Sequence, residues 1–226
     1  MDRSAWLEER RAAVEKDYSD DAPNYDAGYD PVTPVHRRFV ERLVETTPAD
    51  GVVLDAACGT GPYFAIVTGA GRRVVGADQS RGMLAAARAK HPDVGLQNVG
   101  LQELSFVREF DAVMCVDAME HVPPEEWRHV LANLHRAARP GTHVYVTIET
   151  IDDAEIERAY AEATAGGLPA VRGELTGEDT GGYHYYPERQ QVARWLEDEG
   201  LTVIADEDEA LDGYGYRHLL LRSHPG

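Results

Sequence analysis

The run Val53-Leu54-Asp55-Ala56-Ala57-Cys58-Gly59-Thr60-Gly61-Pro62 carries the sharpest chemical signal in this 226-residue chain. An apolar strand ends on an acid, the chain turns on two glycines, and a helix begins. Gly59 and Gly61 lack a Cβ, so a ligand can approach the backbone there. The first N–H groups of the following helix offer partial positive charge to the same space. Asp78 closes the next apolar run, 23 residues after Asp55, where a carboxylate can accept from both hydroxyls of a ribose. The combination points to a nucleotide-like ligand. It is not a dinucleotide, because Phe64 stands where that fingerprint wants a third small residue, and no Gly-Lys-Ser/Thr forms a phosphate-binding loop. Asp55 sits beside the loop, where it would repel a pyrophosphate and attract a cation.

Two histidines are candidates for proton transfer. His121 follows Glu120 just past an apolar strand, and His184 lies in the run Gly181-Gly182-Tyr183-His184-Tyr185-Tyr186-Pro187. A base is needed only where the reacting atom carries a proton that must leave early. No metal is expected. His121, Glu125 and His129 share helical spacing, but Pro123-Pro124 interrupts it, and neither a HExxH pattern nor a Cys/His quartet is present.

These residues need a frame. Short apolar strands at Val52–Leu54, Arg73–Ala77, Val94–Val99, Asp111–Val116 and His143–Ile148 alternate with helices at Ser80–Lys90 and Glu125–Ala138. Strands without polar alternation, separated by helices, imply a parallel sheet covered on both faces. Strands at Leu201–Ala205 and Arg217–Leu221 leave no room for a crossover helix, so they predict an antiparallel hairpin. The expected fold is α/β: a doubly wound, mostly parallel seven-stranded sheet ending in that hairpin. Residues 1–50 should form an N-terminal helical cap, with a helix over 1–16 and an irregular acidic, aromatic stretch from Asp17 to Asp30. Residues 51–226 should form the ligand-binding domain, with a Gly- and Tyr-rich lid inserted after strand five at 151–186.

The blocks Leu54–Gly61, Val75-Gly76-Ala77-Asp78-Gln79-Ser80, Phe110–Val113 through Glu120-His121-Val122, and Arg139-Pro140-Gly141 resemble the class I, seven-stranded S-adenosylmethionine-dependent methyltransferases. The resemblance covers about two-thirds of the chain, from near Asp50 to Ile148 and again in the terminal hairpin. It implies S-adenosylmethionine as cofactor and S-adenosylhomocysteine as its product. It implies that Asp55, Gly59 and Gly61 line the methionine half, that Asp78 holds the ribose, and that Gln79 and Met83 flank the adenine. Asp117 would lie near the reacting methyl, with His121 and His184 as the candidate catalytic bases. Where the family often has an acid for the adenine amino group, Leu101 stands, so that contact falls to Gln102 or to backbone. Tyr25 and Tyr29 would wall the opposite side and face the sulfonium as cation–π partners.

The implied activity is methyl transfer to O, N or C of a small molecule. Two other readings of the same residues are a cofactor-steered reaction without methylation, such as a cyclisation, and a non-catalytic stabilising subunit. Charge narrows the partners. With 22 Lys+Arg against 40 Asp+Glu the chain carries −18, which argues against nucleic acid and against anionic membranes. The acid is uneven: residues 51–150 net −2, whereas 151–226 net −11. Two cysteines in apolar runs and an N-terminus without an apolar core are read as those of a cytoplasmic protein; nothing fixes the oligomeric state.

Overall fold

The computed structural model describes residues 2–28, 32–177 and 182–224. Its strands are β1 (Val52–Ala56), β2 (Arg73–Asp78), β3 (Gly95–Asn98), β4 (Phe110–Cys115), β5 (Ala138–Thr150), β6 (Glu174–Leu175), β7 (His184–Tyr185), β8 (Leu201–Ala210) and β9 (Gly215–Ser223). Its α-helices are α1 (Arg3–Asp21), α2 (Tyr25–Gly28), α3 (Pro34–Thr46), α4 (Phe64–Gly69), α5 (Arg81–Lys90), α6 (Trp127–Ala137), α7 (Asp153–Ala165) and α8 (Arg189–Asp198). The main sheet has seven strands in the order β3-β2-β1-β4-β5-β9-β8. The first five are parallel, and β9 runs antiparallel to both β5 and β8. The expected doubly wound sheet with a terminal hairpin is what the chain forms.

Both faces of the sheet are buried, which explains why its strands lack polar alternation. Within β4, Val113 and Cys115 join one core, and Ala112 and Met114 join the other. Likewise Val144 and Val146 of β5 face one layer while Tyr145 faces the opposite one. Trp127 of α6 stacks on Trp195 of α8 in the first layer, centroids 5.2 Å apart. Phe39 of α3 stacks on Tyr145 in the second, at 5.3 Å.

The sheet reverses its winding between β1 and β4, since β1 pairs β2 on one side and β4 on the other. The crevice beyond the carboxyl ends of those strands is where doubly wound folds bind ligands.

Element boundaries differ from the sequence reading in informative ways. The first helix runs on to Asp21, past the expected end at residue 16. Nothing in Asp17–Asp21 breaks a helix; Ala22 still has helical backbone and donates to the Tyr18 carbonyl oxygen, and the ladder stops at Pro23, which has no N–H to continue it. This extension brings Tyr18 onto the same helical face as Trp6 and Val14. The terminal strands are also longer than read, and β5 begins already at Ala138, so Arg139-Pro140-Gly141 opens a strand. The expected lid at 151–186 includes 178–181, which lie outside the described residues; its described part, 151–177 and 182–186, forms α7 and the two-stranded β6–β7 sheet and is docked on α1. Tyr183 meets Trp6 edge-on at 6.0 Å and donates to Glu174 Oε1 at 2.7 Å, while Arg3 pairs with the same carboxylate at 2.8 Å.

Helix α1 is seated closely on α5. A Cβ on Gly82 would lie 2.5 Å from the Ser19 carbonyl oxygen and 2.7 Å from its Cα. Both are backbone atoms, so neither can swing aside. Gly82→Ala should therefore lower stability by about 1–3 kcal/mol, the usual cost of overpacking. Because α1 also lines the crevice, S-adenosylhomocysteine binding measured by calorimetry should weaken in parallel with the urea midpoint.

Candidate active site

The crevice holds about 980 Å³ of space, counting its open mouth. Its floor is the loop after β1. Ala57, Gly59 and Gly61 all take positive φ, of 64°, 52° and 79°. A Cβ on Gly59 would meet nothing within 4 Å: it would project into the open crevice, into the space a ligand needs. Gly61 has a different task. A Cβ there would come within 2.6 Å of the Phe64 ring, so this glycine allows the turn to pack on α4 and does not border the crevice.

Asp55 also departs from its expected place. It is buried behind the loop and outside the crevice wall, with Oδ2 lacking a partner. Burial, then the nearby Asp78 and Asp117, push its carboxyl well above the usual range. Asp78 lies at the crevice. Its Oδ2 accepts from Gly59 N and its Oδ1 from Ser80 N, each at 2.8 Å. The carboxylate thus ties the glycine loop to the start of α5, and each oxygen keeps a lone pair. Burial raises its pKa even against these two N–H groups.

Gln79, Met83, Gln102 and Asp117 all border the crevice. Met83 is placed by the cap of α5, where Ser80 Oγ accepts from Met83 N at 3.1 Å. The Gln102 amide nitrogen is committed to Glu126 at 2.7 Å, which leaves only its oxygen to accept. Asp117 is held in a positive-φ conformation (51°) by Thr147, whose Oγ1 accepts from Asp117 N at 2.7 Å. Tyr29 lies outside the described residues. Tyr25 does border the crevice.

At the far wall, α1 meets the turn after β4. Tyr18 Oη and His121 Nε2 are 2.9 Å apart, and His121 Nδ1 lies 3.1 Å from the Tyr183 carbonyl oxygen. A carbonyl can only accept, so Nδ1 carries the proton. Nε2 is then bare and accepts from the Tyr18 hydroxyl. Burial holds the imidazole neutral, with its pKa down to about 4. His184 stands behind it, rings 4.8 Å apart, and does not border the crevice. Its Nδ1 is held by the Tyr186 hydroxyl at 2.9 Å and by Glu149 at 3.3 Å, and burial lowers its pKa to about 3. Burial also pushes Glu149 up to about 7 and Glu120 well above the usual range. Buried oxygens of Asp117 and Glu120, like that of Asp55, have no partner. Sequence reasoning missed Tyr18, Glu149 and Tyr186; only Tyr18 had a usable signal, its four-residue spacing from Val14.

This geometry accommodates a ligand with a ribose, a flat apolar ring and positive charge. The sequence model of the family described as "Methyltransferase domain" matches residues 53–141. Those residues form a methyltransferase domain, and with the relatives and fold below they support a class I S-adenosylmethionine-dependent methyltransferase. The chain is 29% identical to a demethylmenaquinone methyltransferase of Renibacterium salmoninarum over 214 residues, 89% of each chain. Its fold is similar to that of a Burkholderia thailandensis 1,6-didemethyltoxoflavin-N1-methyltransferase, which was crystallised with its acceptor and S-adenosylhomocysteine. That match has TM-score 0.72 and 16% identity, over 96% of this chain and 90% of that one. It is also similar to a magnesium protoporphyrin IX methyltransferase of Synechocystis PCC 6803 with bound S-adenosylhomocysteine, at TM-score 0.69 and 18% identity over 95% and 99%. The crevice suits the donor on two observations: the space before Gly59 is open, and Asp117, which borders the crevice, has a buried oxygen with no partner for a positive group to meet. Among the described residues no helix is long and apolar enough to cross a membrane.

Proposed function

We propose that this methyltransferase acts on a small, neutral, hydroxyl-bearing ring compound, and that the Tyr18–His121 pair removes the hydroxyl proton as the methyl is transferred. One observation carries the reading: a neutral imidazole whose bare Nε2 is aimed at a tyrosine hydroxyl on the crevice wall. The acceptors named for the similar proteins, demethylmenaquinone and 1,6-didemethyltoxoflavin among them, support a small molecule. Glu120 and Glu149 on the acceptor side are buried and pushed toward their neutral forms, so they offer no counter-charge to an acceptor that arrives as an anion. A neutral acceptor must then lose its proton inside the site, which is the task of a base. The same charge argument, with the −18 of the chain, disfavours nucleic acid as substrate.

In this reading Asp78 holds the ribose, Met83 and Gln79 flank the adenine, and the Gln102 oxygen accepts from its amino group. Gly59 leaves room for the methionine half, while Asp117 and Tyr25 stand near the methyl. When bound, the cofactor supplies a methyl group already activated on a positively charged sulfur, which becomes neutral as the methyl leaves. Tyr18 accepts the acceptor's proton and passes its own to His121 Nε2, so the acceptor oxygen gains the methyl and His121 ends as imidazolium. The Tyr183 carbonyl oxygen, 3.1 Å from His121 Nδ1, stabilises that charge. Alignment of acceptor and methyl can lower the barrier by roughly 7–11 kcal/mol in the best oriented cases, and the base adds to this.

The test is mass spectrometry with methyl-labelled cofactor on one ring scaffold bearing a hydroxyl, an amine or a carboxylate. The hydroxyl compound should gain one labelled methyl, and the carboxylate should turn over at least about tenfold more slowly, a difference of ~1.4 kcal/mol. Labelling of the carboxylate at the same rate, or of the amine alone, would refute the proposal.

A further inference from the structure

A second cluster lies on the other side of Asp117, and the methyl-transfer reading makes no use of it. His36 in the first turn of α3, Glu209 near the end of β8 and His218 in β9 each offer one donor atom, and these atoms lie within 4.8 Å of one another. Both histidines are fully buried, with ring centroids 4.8 Å apart.

The hydrogen bonds around the cluster fix its polarity. The Thr33 hydroxyl donates to Glu209 Oε2 at 2.8 Å, so it must accept from His36 Nδ1 at 3.0 Å. His36 therefore carries its proton on Nδ1. Its Nε2 has no hydrogen-bond partner and is sealed from water. Yet that bare nitrogen stands 3.1 Å from Asp117 Oδ1, another atom with only lone pairs to offer. Two acceptors at that distance repel unless something positive lies with them. On the other flank His218 Nδ1 is held by the Tyr145 hydroxyl at 2.8 Å, and its Nε2 stands 3.2 Å from Glu209 Oε2. Each imidazole is thus gripped at Nδ1 by a hydroxyl, with Nε2 turned toward a carboxylate. That is the outer-shell arrangement of metal-ligating histidines.

We propose that His36, His218 and Glu209 bind one divalent transition-metal cation of the zinc class, with Asp117 beside it. Two imidazoles and a carboxylate form a borderline donor set, suited to zinc and its neighbours and poorly suited to calcium or magnesium, which prefer all-oxygen shells. The ion ties α3 to the terminal hairpin. Through Asp117 it adjoins the crevice, so its charge reaches the side of the site where the acceptor is read. The proposal does not rest on the identity of the acceptor or on the Tyr18–His121 base.

The full-length protein is stripped with chelator and titrated with Zn²⁺ in excess Mg²⁺ and Ca²⁺, reading bound metal by mass spectrometry and the melting temperature. One equivalent bound at micromolar or tighter affinity and a raised melting temperature are expected. Glu209→Gln removes a ligand at a largely buried position and should weaken zinc binding at least ~10-fold, judged by the usual cost of losing even an outer-shell partner. His135→Ala, on α6 away from the cluster, should leave zinc binding unchanged. X-ray absorption of the zinc-loaded wild type should show two imidazole ligands, which decides the matter even if Glu209→Gln folds poorly. Absence of stoichiometric zinc, equal affinity in Glu209→Gln, or no imidazole in the absorption spectrum would overturn the site.

Discussion

Asp78→Ala should weaken S-adenosylhomocysteine binding by ~10²–10⁴-fold. Two hydroxyl hydrogen bonds to a charged acceptor are worth about 1.5–3 kcal/mol each, and 1.4 kcal/mol is tenfold. The upper half of that range is the better expectation here. Asp78 is buried, and a dry site strengthens the hydrogen bonds it makes. The same carboxylate also holds Gly59 N and Ser80 N, so its loss loosens the loop that must stay open before the ligand. Asp78→Asn separates the two roles. Its amide oxygen can keep one backbone bond but offers no charge, so it should bind at an intermediate level with little loss of melting temperature. Calorimetry decides: a change under about threefold in Asp78→Ala would remove Asp78 from the ribose site.

The parts of this site that were legible in the sequence are those built by neighbours along the chain. A strand, a glycine turn and a helix start are contiguous, and Asp78 ends the very next strand, so spacing alone placed Gly59 and Asp78 at one edge of the sheet. Spacing did not distinguish Gly59 from Gly61. Both relieve backbone strain, but what each Cβ would touch depends on the packing of Phe64. Asp55 was misplaced for a similar reason, since residue type and position cannot tell which side of a loop a strand-end side chain faces. The histidine clusters were least legible. His36 and His218 stand 182 residues apart, and only the antiparallel return of β9 beside β5 brings the second under α3. Tyr18 shows the intermediate case: its helical spacing was present, but the acidic residues around it read as irregular chain.

Tyr18→Phe and His121→Ala should each lower kcat by ~10²–10⁴, the usual contribution of a positioned base, while changing S-adenosylhomocysteine affinity far less. Because the two act as one relay, the double variant should be little worse than either single one. The pH profile identifies the base. A base works when deprotonated, so activity is lost as pH falls through its pKa. Burial holds His121 at about 4, and the wild-type rate should therefore stay flat from about pH 5 upward. Glu149 is the competing group on this wall, pushed up to about 7 by burial and hydrogen-bonded by Tyr186 at 3.2 Å. Were Glu149 the base, the rate would bend near pH 7 and Tyr18→Phe would leave it nearly intact. The two assignments thus predict different curves for the same enzyme. The difference has a structural origin: His121 borders the crevice beside Tyr18, whereas Glu149 is turned to His184 and Tyr186 behind it.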